Sequence, residues 1–199
     1  MRASHLDKNF DTKDMALLPS RNGYGEGLVE AGKRDERVVA LAADLTESTR
    51  TLPFAEMFPK RFVQVGIAEQ NMASVASGMA AMGKIPFIAS YAMFSPGRNW
   101  EQIRTTIAYN ESNVKIIGAH AGVSVGPDGA THQAVEDIAL MRVIPQMIVI
   151  APADVHEARK AVLAAAKHVG PVYIRVGRSN TPVVTTPESP FEIGKAVIM

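Results

Sequence analysis

The chain contains no cysteine, and that absence removes disulfide staples, thiolate nucleophiles and cysteine-ligated zinc sites from the functions open to it. A reducing compartment suits such a chain, and the cytoplasm is its expected location. Neither sign of charge dominates. With 21 Lys and Arg against 20 Asp and Glu, dispersed along the sequence, there is no electrostatic footprint of a nucleic-acid or membrane partner. Long apolar runs are missing too, and none reaches the roughly 18 residues of a membrane span. The opening "MRASHLDKNFDTKDMALLPS" carries Asp and Lys where a signal peptide needs an apolar core. The five histidines show no His-x-x-x-His or His-x-x-Glu pair at ligand spacing on a helix, so a metal site on this chain is not expected. What remains is a soluble chain of 199 residues, 47% hydrophobic, long enough for one buried core and short for two.

Six short apolar runs, at 37–43, 61–66, 85–90, 114–121, 146–151 and 172–176, alternate with helix-like stretches. That rhythm predicts an α/β fold with a doubly wound, mostly parallel six-stranded sheet. The runs are continuously apolar rather than alternating, so helices are expected on both faces. In such sheets ligands bind beyond the carboxyl ends of the strands. The residues just after the runs are Asp44, Glu69, Ser90 with Tyr91, His120, Asp154 and Arg178, and they are the first candidates for a site. Residues 1–20 read as an N-terminal arm. Residues 183–199 read as a Pro- and Thr-rich linker followed by "FEIGKAVIM", the first strand of a further domain.

Two short motifs suggest other chemistry and are set aside. "GVSVG" (122–126) has the spacing of a nucleophile elbow, but Pro127, Asp128 and Gly129 follow at once. An elbow needs its serine on a strand-to-helix turn, and these residues make a loop. "GYGEG" (23–27) has no strand before it and lacks the Gly-x-Gly-x-x-Gly spacing, which makes it the start of a small-residue helix rather than a nucleotide loop.

One carboxylate stands out. Glu69 opens the stretch "VGIAEQNMASVASGMAAMG" (65–83), in which Ala68, Met72, Ala73, Val75, Ala76, Met79, Ala80 and Met82 cover nearly every azimuth of a helix. Such a helix is expected to be buried all round, and in a chain this short that means a subunit interface between copies of the chain. At the first turn the helix dipole favours the ionised form of Glu69, while apolar walls disfavour it. A helix-capping glutamate is the commoner explanation of such a residue. The neighbouring motifs raise a second one.

"GIAEQNM", with "AADLTEST" (42–49), "SYAMFSPGR" (90–98), "GAHAGVSVGPDGATHQAVEDIALMR" (118–142) and "IRVGRSNTP" (174–182), closely resembles the pyrimidine-binding domain of transketolase in its split two-subunit form. The likeness runs in order and at matching spacing from Arg21 to Pro182. Deoxyxylulose-phosphate synthase and the β subunits of 2-oxoacid dehydrogenases share the Gly-Ile-x-Glu element; "DGATHQ" separates the chain from the dehydrogenases, and "GRSNTP" leans to transketolase over the synthase.

The resemblance implies thiamine diphosphate as cofactor, with Glu69 hydrogen-bonded to N1′ of its aminopyrimidine ring and controlling the proton there. It implies Phe94 as the stacking wall for that ring, Tyr91 as a second wall, and Asp44 as a buried acid near cofactor and interface. Relatives carry Phe where this chain has Tyr91, and an aromatic residue where it has Gly97. Asp128 and His132 match contacts to donor-sugar hydroxyls, with His132 also counted as catalytic. His120 matches a sugar-phosphate contact, and Arg178, Arg21 and Ser48 match the residues that hold the substrate phosphate. No Gly-Asp-Gly followed by Asn is found, so the ligands for magnesium and diphosphate are expected from a partner subunit. The implied activity is transfer of a two-carbon ketol unit between sugar phosphates, with little activity from this chain alone. A deoxyxylulose-phosphate synthase-like half and a truncated, non-catalytic pairing module stand as alternatives.

Overall fold

Each of the six apolar runs forms a strand in the computed structural model of the chain, which describes residues 5–195. In chain order the elements are β1 (Leu17–Leu18), α1 (Ser20–Arg34), β2 (Val38–Ala42), α2 (Leu52–Met57), β3 (Phe62–Gln64), α3 (Glu69–Ala81), β4 (Ile85–Tyr91), α4 (Trp100–Gln102), β5 (Lys115–Ala119), α5 (Asp137–Arg142), β6 (Ile148–Ile150), α6 (Val155–Lys167), β7 (Val172–Arg175) and β8 (Thr181–Pro182). A π-helical segment, Ile103–Ala108, continues α4. The sheet order is β3-β2-β4-β5-β7-β6, and every pairing in it is parallel. After β3 the winding crosses back to the far side of β2, which places the topological switch between β2 and β4.

The continuous apolar strands split by pleat into two cores, as a sheet covered on both faces requires. Val38, Ala40, Phe87, Ile117, Val172 and Ile174 point into one cluster with Tyr24 and Leu28 of α1, Phe54 of α2 and Ala158, Ala161 and Val162 of α6. Val39, Leu41, Ile88, Ile116 and Tyr173 point into the other, with Met72, Ala73 and Ala76 of α3, Ile103, Ile107 and Met141. The edge strands β3 and β6 are only partly buried, because each has one neighbour instead of two.

The glycines of "GYGEG" lie inside α1, where they let it press on α6. A Cβ on Gly23 would lie 1.9 Å from the Val155 carbonyl oxygen, and one on Gly27 2.9 Å from that of Arg159. Close helix contact, not phosphate binding, accounts for them.

Asp154, one of the candidates after the strands, is buried and structural. It caps α6 by accepting from the Glu157 amide, and also accepts from the Val184 and Thr185 amides and the Thr185 hydroxyl. Burial opposes its ionisation, but these four donors outweigh burial and hold the carboxyl below the usual carboxylate range. They also fasten the stretch after residue 182 to the domain, where Val183, Thr185 and Ser189 are buried. The N-terminal arm packs on the same stretch through the antiparallel β1–β8 pair and a Leu6–Thr185 bridge. The tip of the arm and the end of "FEIGKAVIM", residues 1–4 and 196–199, lie outside the described residues. Among the described residues no helix is long and apolar enough to cross a membrane.

Candidate active site

The carboxyl ends of the strands gather most of the candidate residues at the switch point. Glu69 is the first residue of α3 and is 1% exposed. Its surroundings differ from the apolar walls expected of it. Arg98 Nη1 donates to Glu69 Oε2 at 2.9 Å, while the Ser90 hydroxyl reaches Oε1 only at 3.4 Å. Asn99 Nδ2 donates to the Glu69 backbone carbonyl and to Ser95 Oγ, which ties the loop after β4 to the start of α3. Phe94 lies in that loop, with the Arg98 guanidinium carbon 4.8 Å from its ring centroid.

Three rings continue from Phe94 toward a second region. Tyr91 is nearly parallel to Phe94, centroids 6.0 Å apart. On Tyr91 stacks His120, at 3.9 Å. His132 sets its edge against Phe94 and Tyr91, at 5.3 and 6.2 Å, so the aromatic cluster unites the connection after β4 with the connection after β5.

Beyond Tyr91 opens a polar pocket of about 300 Å³ lined by Arg21, Glu47, Ser48, Arg50, Tyr91, His120, Asp128 and Arg178. Arg21 bridges its walls: Nη1 donates to the Ser48 carbonyl at 2.9 Å and to His120 Nε2 at 3.0 Å. A guanidinium has no acceptor, so the His120 ring carries its proton on Nδ1. That buried Nδ1 has no hydrogen-bond partner. Burial first, then the positive charge of Arg21, Arg178 and Arg50, pushes the His120 imidazole down to about 3 and keeps it neutral. Arg178 donates to the Val125 carbonyl at 3.1 Å and so is held against the loop 122–126. Three guanidiniums and a neutral imidazole thus surround one small cavity, which concentrates positive charge there.

Residues 18–184 match the family model for the transketolase pyrimidine-binding domain. The chain belongs to that family. Among its relatives is a Methanocaldococcus jannaschii protein named as a transketolase C-terminal section, 50% identical over 90% of this chain and 57% of its own length. A 6-deoxy-6-sulfo-D-fructose transketolase subunit of a Clostridium species is 39% identical over 90% of this chain and 56% of its own. A solved structure described as a split gene transketolase, inactive beta4 tetramer, superimposes with a TM-score of 0.81 at 49% identity, covering 90% of this chain and 58% of that one. The chain therefore spans a little over half the length of these relatives.

Within this transketolase domain several expectations change. In the single chain Asp44 is exposed: it follows β2 with φ of +58° and donates its backbone N–H to Gln64 Oε1. Helix α3 is buried on one side only. Met72, Ala73 and Ala76 face the core, whereas Gln70, Asn71, Ser74, Gly78 and Ala81 face out, as does Met82 just beyond it, 83% exposed. Its outer face thus mixes small and polar groups. Gly97 is fixed by its neighbour, since a Cβ there would lie 1.9 Å from the Met93 carbonyl oxygen; an aromatic residue does not fit this loop without moving the backbone. Ser124 of "GVSVG" sits on a short 3₁₀ turn, where its carbonyl accepts from the Ser179 hydroxyl.

Two residues of the site carry little or no signal in the sequence. Arg98 ends "SYAMFSPGR", where nothing local assigns it a role, although a charged glutamate on an apolar helix is itself a sign that a cation stands nearby. Arg50 closes "TESTR"; its Nε donates to Asn22 Oδ1, and its φ of +67° gives no sequence signal at all.

The donor set fits the pyrimidine half of thiamine diphosphate. A buried carboxylate whose strong partner is a single half-exposed guanidinium, beside a half-buried phenyl ring, suits a planar heterocycle that donates an N–H. Among the described residues no group of three or more His, Asp or Glu is placed to hold a metal ion.

Proposed function

We propose that this chain is the pyrimidine-domain subunit of a thiamine-diphosphate-dependent transketolase that moves a two-carbon ketol unit between sugar phosphates. The observation that carries the reading is the adjacency of Glu69 and Phe94 to the cationic pocket of Arg21, Arg50, Arg178 and His120, with Tyr91 between them. When bound, thiamine diphosphate supplies the nucleophilic carbon that a ketose C2–C3 cleavage requires.

Glu69 would hold a proton at N1′ of the aminopyrimidine from its place at the first turn of α3. Phe94 would stack on the ring, and Tyr91 would separate it from the sugar. The exposed Asp128 and the edge of His132 in "PDGATHQ" would meet the donor hydroxyls; His132 would also exchange protons with them. Arg21 and Arg178, joined by Arg50, would grip the phosphate, with the Ser48 carbonyl and His120 Nε2 orienting Arg21. Magnesium and diphosphate ligands would come from a diphosphate-binding partner subunit, and the chain alone would be inactive. The outer face of α3, with Met82 and Ile67 exposed at its ends, would bury itself against a second copy, since Gln70, Asn71 and Ser74 are the only polar side chains exposed along it, beside the small Gly78 and Ala81. A cytoplasmic setting matches phosphorylated substrates.

The test is reconstitution with a diphosphate-binding subunit and assay of ketol transfer from xylulose phosphate to ribose phosphate. Glu69→Ala should retain the fold by circular dichroism and lose most turnover. Near-normal turnover of that variant would refute the assignment, and product formed from pyruvate plus glyceraldehyde phosphate would move it to the synthase class.

A further inference from the structure

We propose that the Arg98 guanidinium is a built-in competitor of the aminopyrimidine ring: both need the same carboxylate and the same aromatic ring, so cofactor binding must displace Arg98. This rests on reading Glu69 and Phe94 as the pyrimidine site.

The chemical likeness is close. A guanidinium is planar, carries N–H donors in its plane and offers a face to aromatic rings; a protonated aminopyrimidine has the same three properties. In the structure Arg98 uses all of them on the two groups in question, with Nη1 at 2.9 Å from Glu69 Oε2 and its central carbon 4.8 Å from the Phe94 centroid. The pairing answers a physical need. Glu69 is 1% exposed, and a buried carboxylate with no cationic or donor partner is strongly unfavourable. Ser90 alone, at 3.4 Å, is too distant to meet that need.

Displacement asks little of the backbone. The Arg98 side chain is 48% exposed, so the head group enters from solvent and can return to it. Its neighbour Asn99 is buried and anchors the loop through the Glu69 carbonyl and Ser95 Oγ, so rotation of the Arg98 side chain does not loosen the start of α3. Arg98 thus keeps the buried Glu69 carboxyl paired until the ring arrives, and raises the cofactor concentration needed for loading.

The experiment titrates thiamine diphosphate with magnesium calorimetrically into the complex of this chain with its diphosphate-binding subunit. Arg98→Ala should tighten Kd about 10-fold, close to 1.4 kcal/mol, and Arg98→Gln, which keeps a donor without the charge, should fall between. In the Glu69→Ala background, where Arg98 has no carboxylate to hold, removing Arg98 should change Kd less than about 2-fold. Unchanged or weaker binding in both Arg98 variants, with Glu69→Ala still weakened, overturns the competitor assignment and leaves the site reading standing. Equal affinity of Glu69→Ala and wild type overturns both. Circular dichroism on each complex confirms the fold, and Arg98→Gln carries the test if the alanine variant unfolds.

Discussion

Arginine 178 offers the sharpest separation of phosphate recognition from everything else. It sits after β7, half-buried, with one Nη committed to the Val125 carbonyl at 3.1 Å and the rest of the fork facing the pocket it shares with Arg21 and Arg50. The Arg21 guanidinium is lowered from its ordinary value by burial first and then by Arg50 and Arg178, so these cations sense one another across the cavity and an anion relieves them. A charge-assisted hydrogen bond is worth about 1.5 to 3 kcal/mol. At about 1.4 kcal/mol per decade, Arg178→Ala should raise KM for phosphorylated ketose donors roughly 10- to 100-fold. Hydroxypyruvate carries no phosphate, and its KM should change less than about 3-fold; kcat should hold for both. The assay is steady-state ketol transfer by the reconstituted enzyme with each donor. An independent measure is thermal shift with inorganic phosphate: saturation at 100 times Kd stabilises by about 2.7 kcal/mol, and most of that should vanish in the variant. Equal losses for both donors would mean that Arg178 supports the 122–126 loop or the cofactor site, and the phosphate role would fall.

Three further outcomes test the structure itself. His120, pushed down to about 3, has a folded-state value below its unfolded one, so its contribution is intact above about pH 6.5 and is lost as pH falls; unfolding free energies from urea titrations between pH 6.5 and 5 should decline by up to about 1.4 kcal/mol per pH unit, and an identical slope in His120→Asn would refute it. Lys115 is fully buried, lowered to about 7 by burial, yet its Nζ donates to Asn113 Oδ1 and the His168 and Gly170 carbonyls within 2.8 Å; Lys115→Met strands these acceptors and should cost at least ~2 kcal/mol, a prediction that an unchanged melting temperature would defeat. Gly23→Ala drives a methyl into the Val155 carbonyl and should cost about 1 to 3 kcal/mol, whereas Gly78→Ala, with nothing within 4 Å, should raise the stability of the isolated chain by about 0.5 to 1 kcal/mol; chemical denaturation of the pair decides whether α1 is as tightly seated as its glycines require.

The sheet was legible in the sequence because its signal is local. A strand covered on both faces needs an unbroken apolar run, and runs such as "VVALA" and "KIIGA" survive as β2 and β5 with every residue buried. Edge position is not local: "QMIVIA" reads like its neighbours, but β6 keeps only Ile148–Ile150 and stays half-buried, since which strand lacks a second neighbour follows from the winding. Glu69 was legible for a similar reason, being a charge at the head of an apolar helix directly after a strand.

Its partner was not. Arg98 lies 29 residues on, and only the crossing from α3 through β4 returns the chain to the same end of the sheet. Arg50 and Arg21 meet from opposite flanks of α1 and β2, and Asp154, placed by sequence among the candidates after the strands, proves to be committed to amides 30 and 31 residues away. Composition and periodicity determine which segments can be buried and hence the layered fold, because burial is a property of each segment's own side chains. Which charges then face one another is decided by the packed sheet alone, because a pairing energy exists only at distances of a few ångströms that the winding of the chain creates.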